Sequence, residues 1–255
     1  LHTTKASDIP PKPKETTAEA IAGIASVLVS GLFIITFIIQ AFEIPSRSME
    51  DTLLVGDHVF VDRLTPASKT GWVGPIIPYH QIQHGDIVVF ISPEQAGLHV
   101  VKRIIGIPGD RLHLRNGVVY RNGQALTEPY TKYIRHDYNP YRDNFPAVSP
   151  VGVDEIAYYW PMLMRDHIEG DDLVIPPGNY FGMGDDRDIS LDSRYWGFIP
   201  QENIIGRPLF IYWSFETSDD QYMRTSIGER VQFFFHVVLH FVSETRWRRM
   251  LHLVH

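Results

Sequence analysis

Residues 20–49 read AIAGIASVLVSGLFIITFIIQAFEIPSRSM, and the fold is decided where this stretch changes character. From Ala20 to Phe42 there is no Asp, Glu, Lys or Arg. As a helix the run would reach roughly 35 Å, enough to cross a hydrocarbon core of about 30 Å. A cleavable leader is the alternative, but its apolar region spans only about 7–15 residues, and Ile44-Pro45-Ser46 offers no small-residue cleavage pattern. Residues 18–42 are therefore expected to be a transmembrane anchor. Residues 1–17, with Pro10, Pro11 and Pro13 in a polar setting, are expected to be a disordered tail. Lys5, Lys12 and Lys14 precede the run and only Arg47 and Arg63 follow nearby, which favours a cytoplasmic N-terminus. The rest of the chain would then lie on the far side of the membrane.

The whole chain has 255 residues, 44% hydrophobic and 21% charged, enough for one substantial core beyond the anchor. A net charge of −7 argues against a broad basic surface for nucleic acid. The absence of cysteine excludes a thiol nucleophile, disulfides and thiolate metal sites.

After the anchor the pattern is strand-like. Residues 57–62, 86–91 and 100–107 are runs rich in Val, Ile and Phe bounded by Gly, Pro or Asp. Asn116-Gly117 and Asn122-Gly123 carry the chemistry of tight hairpin turns, so residues 111–115, 118–120 and 125–126 read as a meander. Residues 127–172 are rich in Tyr, Asp, Pro and His without periodicity and read as an inserted cap. That cap would split one β domain into 43–126 and 173–215. Residues 65–84 resemble a second loop excursion. The segment 216–255 contains an apolar stretch, 231–242, too short to span a membrane. Two readings stay open for it: a helix packed on the domain, or a membrane-surface element beside Arg246, Trp247, Arg248 and Arg249.

Ser48 lies a few residues past the anchor, where a hydroxyl could act at the bilayer surface. A serine becomes nucleophilic only when a base takes its proton, and a desolvated lysine can do so. Lys102, in Val100-Val101-Lys102-Arg103-Ile104-Ile105, shares a strand face with Val100 and Ile104. Both faces of this run contain apolar residues, so the pattern fits a buried lysine or an ordinary sheet lysine with its amine in water.

Four blocks in order, Pro45-Ser46-Arg47-Ser48-Met49, Gly56-Asp57, residues 101–110 and Gly184-Asp185-Asp186-Arg187-Asp188 continuing to Gly197, closely resemble bacterial type I signal peptidases. The resemblance implies a mainly β fold: a single transmembrane helix followed by a coiled antiparallel β-sheet catalytic domain with an inserted cap. It implies a serine endopeptidase of the bacterial inner membrane, its domain on the periplasmic side, removing signal peptides from exported preproteins after small residues at −1 and −3. It also implies that Ser48 is the nucleophile, Lys102 the general base, Ser46 an oxyanion donor, and Ser190 a hydrogen-bond partner that orients Lys102. Ile44 and Val101 would line the substrate pockets. Asp185, Arg187, Asp188, Asp192 and Arg194 are read as an ion-pair lattice supporting the loop. No metal or organic cofactor is expected. The partners expected are preprotein signal peptides and the lipid bilayer. Arg47 stands where the family often has Gly, and Glu50-Asp51-Thr52 replaces the more usual residues after the nucleophile.

Two rival readings remain. Self-cleaving repressors also use Ser and Lys on a β fold, but they lack an anchor and carry a DNA-binding segment. A catalytically silent, membrane-anchored module that captures signal peptides would share every feature except chemistry. A Ser/His/Asp arrangement using His58, His99 or His113 is disfavoured because the twelve histidines show no hydrolase or metal-site spacing. Nothing in the sequence points to a particular oligomeric state.

Overall fold

The apolar run is helical only as far as Ile38. In the computed structural model, which describes residues 16–64, 81–134, 137–218 and 226–255, helix α1 covers Thr17–Phe33 and continues as one π-helical turn, Ile34–Ile38. Of the expected tail at 1–17 and loop at 65–84, residues 1–15 and 65–80 fall outside the described residues, and Thr17 already belongs to the helix. Thr16 opens α1 with a capping box: its hydroxyl accepts from the Glu19 amide, and the Glu19 carboxylate accepts from the Thr16 amide. Thr17–Ile38 is long and apolar enough to cross a membrane, and none of it is buried against the rest of the protein.

At Ile39 the chain becomes strand β1, Ile39–Glu43, so the anchor helix is shorter than the sequence run suggested. A second strand supplies the reason. Strand β2, Asp57–Asp62, pairs antiparallel with β1 from Ile39↔Asp62 to Glu43↔His58. Arg63 then donates from its backbone to the Ile38 carbonyl and from its side chain to that of Thr36, satisfying acceptors at the helix end.

The remaining elements follow in chain order. They are β3 (Ile87–Ile91), β4 (His99–Gly106), β5 (Arg111–Arg115), β6 (Val118–Arg121), β7 (Gln124–Ala125), α2 (Pro140–Asp143) and α3 (Trp160–Arg165). Then come β8 (Ile168–Glu169), β9 (Asp172–Val174), β10 (Asn179–Met183), α4 (Ser193–Trp196), β11 (Ile199–Pro200), β12 (Ile204–Ser214) and α5 (Ile227–Glu244). Seven strands form one sheet in the order β1-β2-β12-β3-β4-β10-β11, and five form a second in the order β7-β6-β5-β9-β8. All ladders between named strands are antiparallel. The expected mainly β domain behind an apolar helix is what the chain forms.

Local chemistry explains the second sheet. Asn116-Gly117 and Asn122-Gly123 each take positive φ at both positions, the geometry that lets a two-residue turn follow strand twist. They close β5 on β6 and β6 on β7 as the sequence predicts.

The two faces of β4 divide the core. Val88, Val100 and Ile104 belong to a large cluster with Leu112, Phe145, Trp160 and Phe181. Val89 and Val101 join a smaller cluster with Ile44, Met49, Leu53 and Ile211. Residues 127–172 do not decorate this core from outside. Tyr141, Phe145, Trp160 and Met164 are part of it, and β8 pairs with β9 in the second sheet. The Tyr141 hydroxyl and the Trp160 indole both donate to the Arg194 carbonyl, tying the segment to α4.

Candidate active site

The apolar face of β4 settles which environment Lys102 occupies. Its side chain is 3% exposed, on the side of Val100 and Ile104. Burial disfavours the charged amine and brings its pKa down to about 8, although the Asp192 carboxylate opposes this. Neighbouring β10 makes room for the lysine stem: a Cβ on Gly182 would stand 3.1 Å from the Lys102 Cβ. From that slot Lys102 Nζ donates to Ser48 Oγ at 2.6 Å.

Ser48 is carried on a single 3₁₀ turn, Arg47–Met49, whose start is Ser46 in extended conformation. Met49 is sunk into the smaller core cluster, fixing the turn from below. Ser46 Oγ lies 3.3 Å from Ser48 Oγ, so two hydroxyls and the lysine amine share one small space. The turn is clamped by the residues that depart from the family pattern. Arg47 Nε reaches Glu50 at 2.6 Å, and Lys132 reaches Asp51 at 2.9 Å and Glu50 at 3.6 Å. Hydrogen bonding from Arg47, which outweighs partial burial, holds the Glu50 carboxyl below its usual range. The two departures thus form one ion-paired unit beside Ser48.

Behind Ser48 the loop 184–194 closes the site. The Asp186 amide donates to the Ser48 carbonyl at 3.1 Å. Gly184 packs so closely that an added Cβ would come under 3.0 Å from both the Ser48 carbonyl oxygen and the Ser190 side chain. The charged residues form buried pairs, several with partners the sequence did not suggest. Arg103 grips Asp185 through Nε and Nη2, both at 2.8 Å, and Thr52 Oγ1 donates to the same carboxylate at 2.6 Å. Arg187 grips Glu128 at 2.6 and 2.8 Å. Arg194 grips Asp192 at 2.8 and 2.7 Å and donates to the Arg187 carbonyl. Asp188 accepts from the Ile134 amide. Burial opposes ionisation of Asp192, but the Arg194 guanidinium outweighs it and keeps its carboxyl low. Asp186 differs: burial, with Asp188 adding to it, pushes its carboxyl up to about 7.

Residues 17–213 match the family model described as signal peptidase, peptidase S26. The chain belongs to the signal peptidase family. Signal peptidase I of Buchnera aphidicola (subspecies Baizongia pistaciae) is 31% identical over 251 residues, covering 82% of this chain and 80% of that protein. Probable signal peptidase I-1 of Synechocystis is 33% identical, covering 78% and 84%. A solved signal peptidase I from Enterococcus faecalis is 29% identical, covering 50% of this chain and 97% of that chain, with a TM-score of 0.37.

Measured against what the signal peptidase resemblance implied, most named residues converge and one contact differs. The expected hydrogen bond from Ser190 to Lys102 is not made. Ser190 Oγ is buried without a hydrogen-bond partner, packed against Gly184, while the hydrogen bond found for Lys102 goes to Ser48. Ile44 is 2% exposed and packs in the smaller core cluster, whereas Val101 is only partly buried at its edge. Arg103, Glu128, Thr52 and Gly184 belong to the site and were not singled out from sequence.

The histidines are also less scattered than they read. His236, His240 and Glu244 on α5 bring one ligand atom each to within 4.8 Å of one another. These groups already satisfy each other: His236 Nε2 pairs with Glu244 at 2.7 Å, and His240 Nδ1 lies 3.0 Å from the His236 carbonyl.

Proposed function

We propose that this chain is a membrane-anchored serine endopeptidase that removes signal peptides from exported preproteins through a Ser48/Lys102 dyad. The observation that carries the reading is a buried lysine amine 2.6 Å from a serine hydroxyl, next to a helix long enough to span a bilayer. With its pKa lowered to about 8, Lys102 has a neutral fraction near neutral pH large enough to serve as a base.

In the proposed reaction the neutral Lys102 amine accepts the Ser48 proton as Oγ attacks the scissile carbonyl. Negative charge develops on the carbonyl oxygen, where the Ser48 amide and the Ser46 hydroxyl donate. Collapse of the tetrahedral intermediate breaks the C–N bond, and the leaving amine takes its proton from Lys102. The remaining Ser48 ester is then hydrolysed by water that Lys102 deprotonates, restoring the free hydroxyl. Gly184 and Ser190 act by packing behind Ser48, and the Asp185, Arg187, Asp188, Asp192 and Arg194 lattice holds that packing in place.

An extended substrate lying beside Ser48 and β4 would meet Val101 as the accessible apolar wall, with Ile44 behind it. Such walls favour small residues at −1 and −3. The domain acts on the periplasmic face of the inner membrane, where holding enzyme and substrate in one bilayer raises their effective concentration.

The test is cleavage of a preprotein with Ala at −1 and −3 by the purified full chain in vesicles, followed by N-terminal sequencing of the product. A single new N-terminus after that Ala supports the reading. An uncut substrate that nevertheless binds would establish the silent capture module instead.

A further inference from the structure

Helix α5 is built with its apolar side outward. Ile227, Val231, Phe234, Val238, Leu239 and Val242 recur at the spacing of one helical face, and all are exposed, Leu239 at 78% and Val242 at 75%. The opposite side is the one that docks. Phe233 and His236 meet the Phe215 ring, while Phe241, at the edge of the stripe, meets Trp213 at the end of β12. The helix carries its own capping box at Ser226 and Glu229, and the Glu244 carbonyl accepts from the Glu216 amide. It is a formed helix, attached through the Phe233 and His236 rings of its inner side.

We propose that α5 lies in the plane of the membrane that α1 spans, with this stripe buried at the boundary between headgroups and acyl chains. The inference rests on the anchored reading above, and three observations select lipid as the occupant. First, a bilayer is always in reach. Strand β1 leaves the spanning helix without a linker and runs only about 17 Å. Its far end, Glu43, pairs with His58, which pairs with Trp213 under α5. Second, the stripe contains no charged residue, and the charges of α5, at Glu229, Arg230 and Glu244, lie off it. Third, Trp247 follows the helix half-exposed, its indole donating to the Val242 carbonyl, a side chain suited to the headgroup zone.

Two of the three arginines after α5 are engaged inside the protein. Arg246 donates to the Val55 and Phe215 carbonyls, and Arg249 pairs with Asp57. With Arg248 left exposed and the other two engaged, contact with lipid depends more on apolar burial than on anionic headgroups.

The chain has no cysteine, so single labels can be placed cleanly. Leu239→Cys carrying the fluorophore NBD, in the full chain in phosphatidylcholine vesicles, should show blue-shifted emission and strong quenching by lipids with shallow doxyl groups. His240→Cys, on the half-buried inner side, should show at least threefold weaker quenching. Raising salt from 0.1 to 1 M should change the Leu239 signal by less than twofold. A double Val238→Glu, Val242→Glu variant should lose most of that quenching while still cleaving a detergent-solubilised preprotein. Water-like, unquenched emission at position 239 overturns the proposal. Blue-shifted emission without doxyl quenching also overturns it, in favour of a second copy or another protein. A label at Leu28→Cys reports the anchor separately, and preprotein cleavage reports the peptidase, so failure of α5 to insert is distinguishable from failure of either.

Discussion

Replacing Gly184 with alanine adds one carbon at the point where the Ser48 carbonyl and the Ser190 side chain converge. That carbon would stand under 3.0 Å from both, whereas ordinary contact begins at 3.4 Å. Gly184 has no positive φ, so the conflict is steric and not conformational. Ser190 is buried, so the 3₁₀ turn must yield, stretching the hydrogen bond from the Asp186 amide to its Ser48 carbonyl. Opening the contact moves Ser48 by about 1 Å, a displacement that costs on the order of 10²-fold in rate when a reacting group is misplaced. The overpacking itself costs about 1–3 kcal/mol of stability. Gly184→Ala should therefore fold, melt somewhat lower and lose about 100-fold in kcat on a preprotein substrate. Gly228→Ala on α5, where an added Cβ meets nothing within 4 Å, is the control and should keep the wild-type rate. A folded Gly184→Ala protein with wild-type kcat would refute the claim that this packing positions Ser48.

Ser48→Ala and Lys102→Ala should each abolish cleavage while preserving the melting transition. The double variant should be no worse than either, since members of one catalytic unit are not additive. Asp185→Ala leaves the buried Arg103 guanidinium without its carboxylate and should destabilise the protein by about 3–5 kcal/mol in denaturant titration. For Asp186, the folded-state pKa of about 7 lies above the unfolded value, so its ionisation subtracts stability progressively from about pH 4 and levels off above pH 7. Asp186→Asn should thus stabilise by roughly 1–3 kcal/mol at pH 8 relative to pH 4. An equal effect at both pH values would contradict that reading.

The strands and turns were legible because their signals are local. Residues 57–62 and 111–115 are strands at the boundaries read from sequence, and both Asn-Gly pairs close their hairpins. The end of the anchor helix was not, because Ile and Phe suit a buried helix, a membrane helix and a strand alike. Only the partner β2 decides that Ile39 leaves the helix. The position of Lys102 on a strand was legible, but its burial was not, since β4 is apolar on both faces and sits between β3 and β10; the 3₁₀ turn that carries Ser48 left no periodic signal. Ion pairs such as Arg103–Asp185 join residues 82 apart in the chain, a separation that no periodic pattern records. The cap looked like a surface insertion because its core residues, Tyr141, Phe145 and Trp160, are spaced irregularly along the chain, and only folding brings the Phe145 ring against both of the others. Arg47 and Glu50 looked like two separate departures from the family pattern, and the structure joins them in one ion pair.

The central claim is that neutral Lys102 takes the Ser48 proton, and the pH dependence of kcat/KM for preprotein cleavage tests it most directly. A base with a pKa of about 8 is neutral in roughly a tenth of molecules at pH 7, half at pH 8 and nine-tenths at pH 9. The rate should rise about tenfold from pH 6 to 7, bend near pH 8 and flatten above pH 9. A flat profile from pH 6 to 9, or a bend near pH 6.5 where an ordinary histidine titrates, would contradict the account.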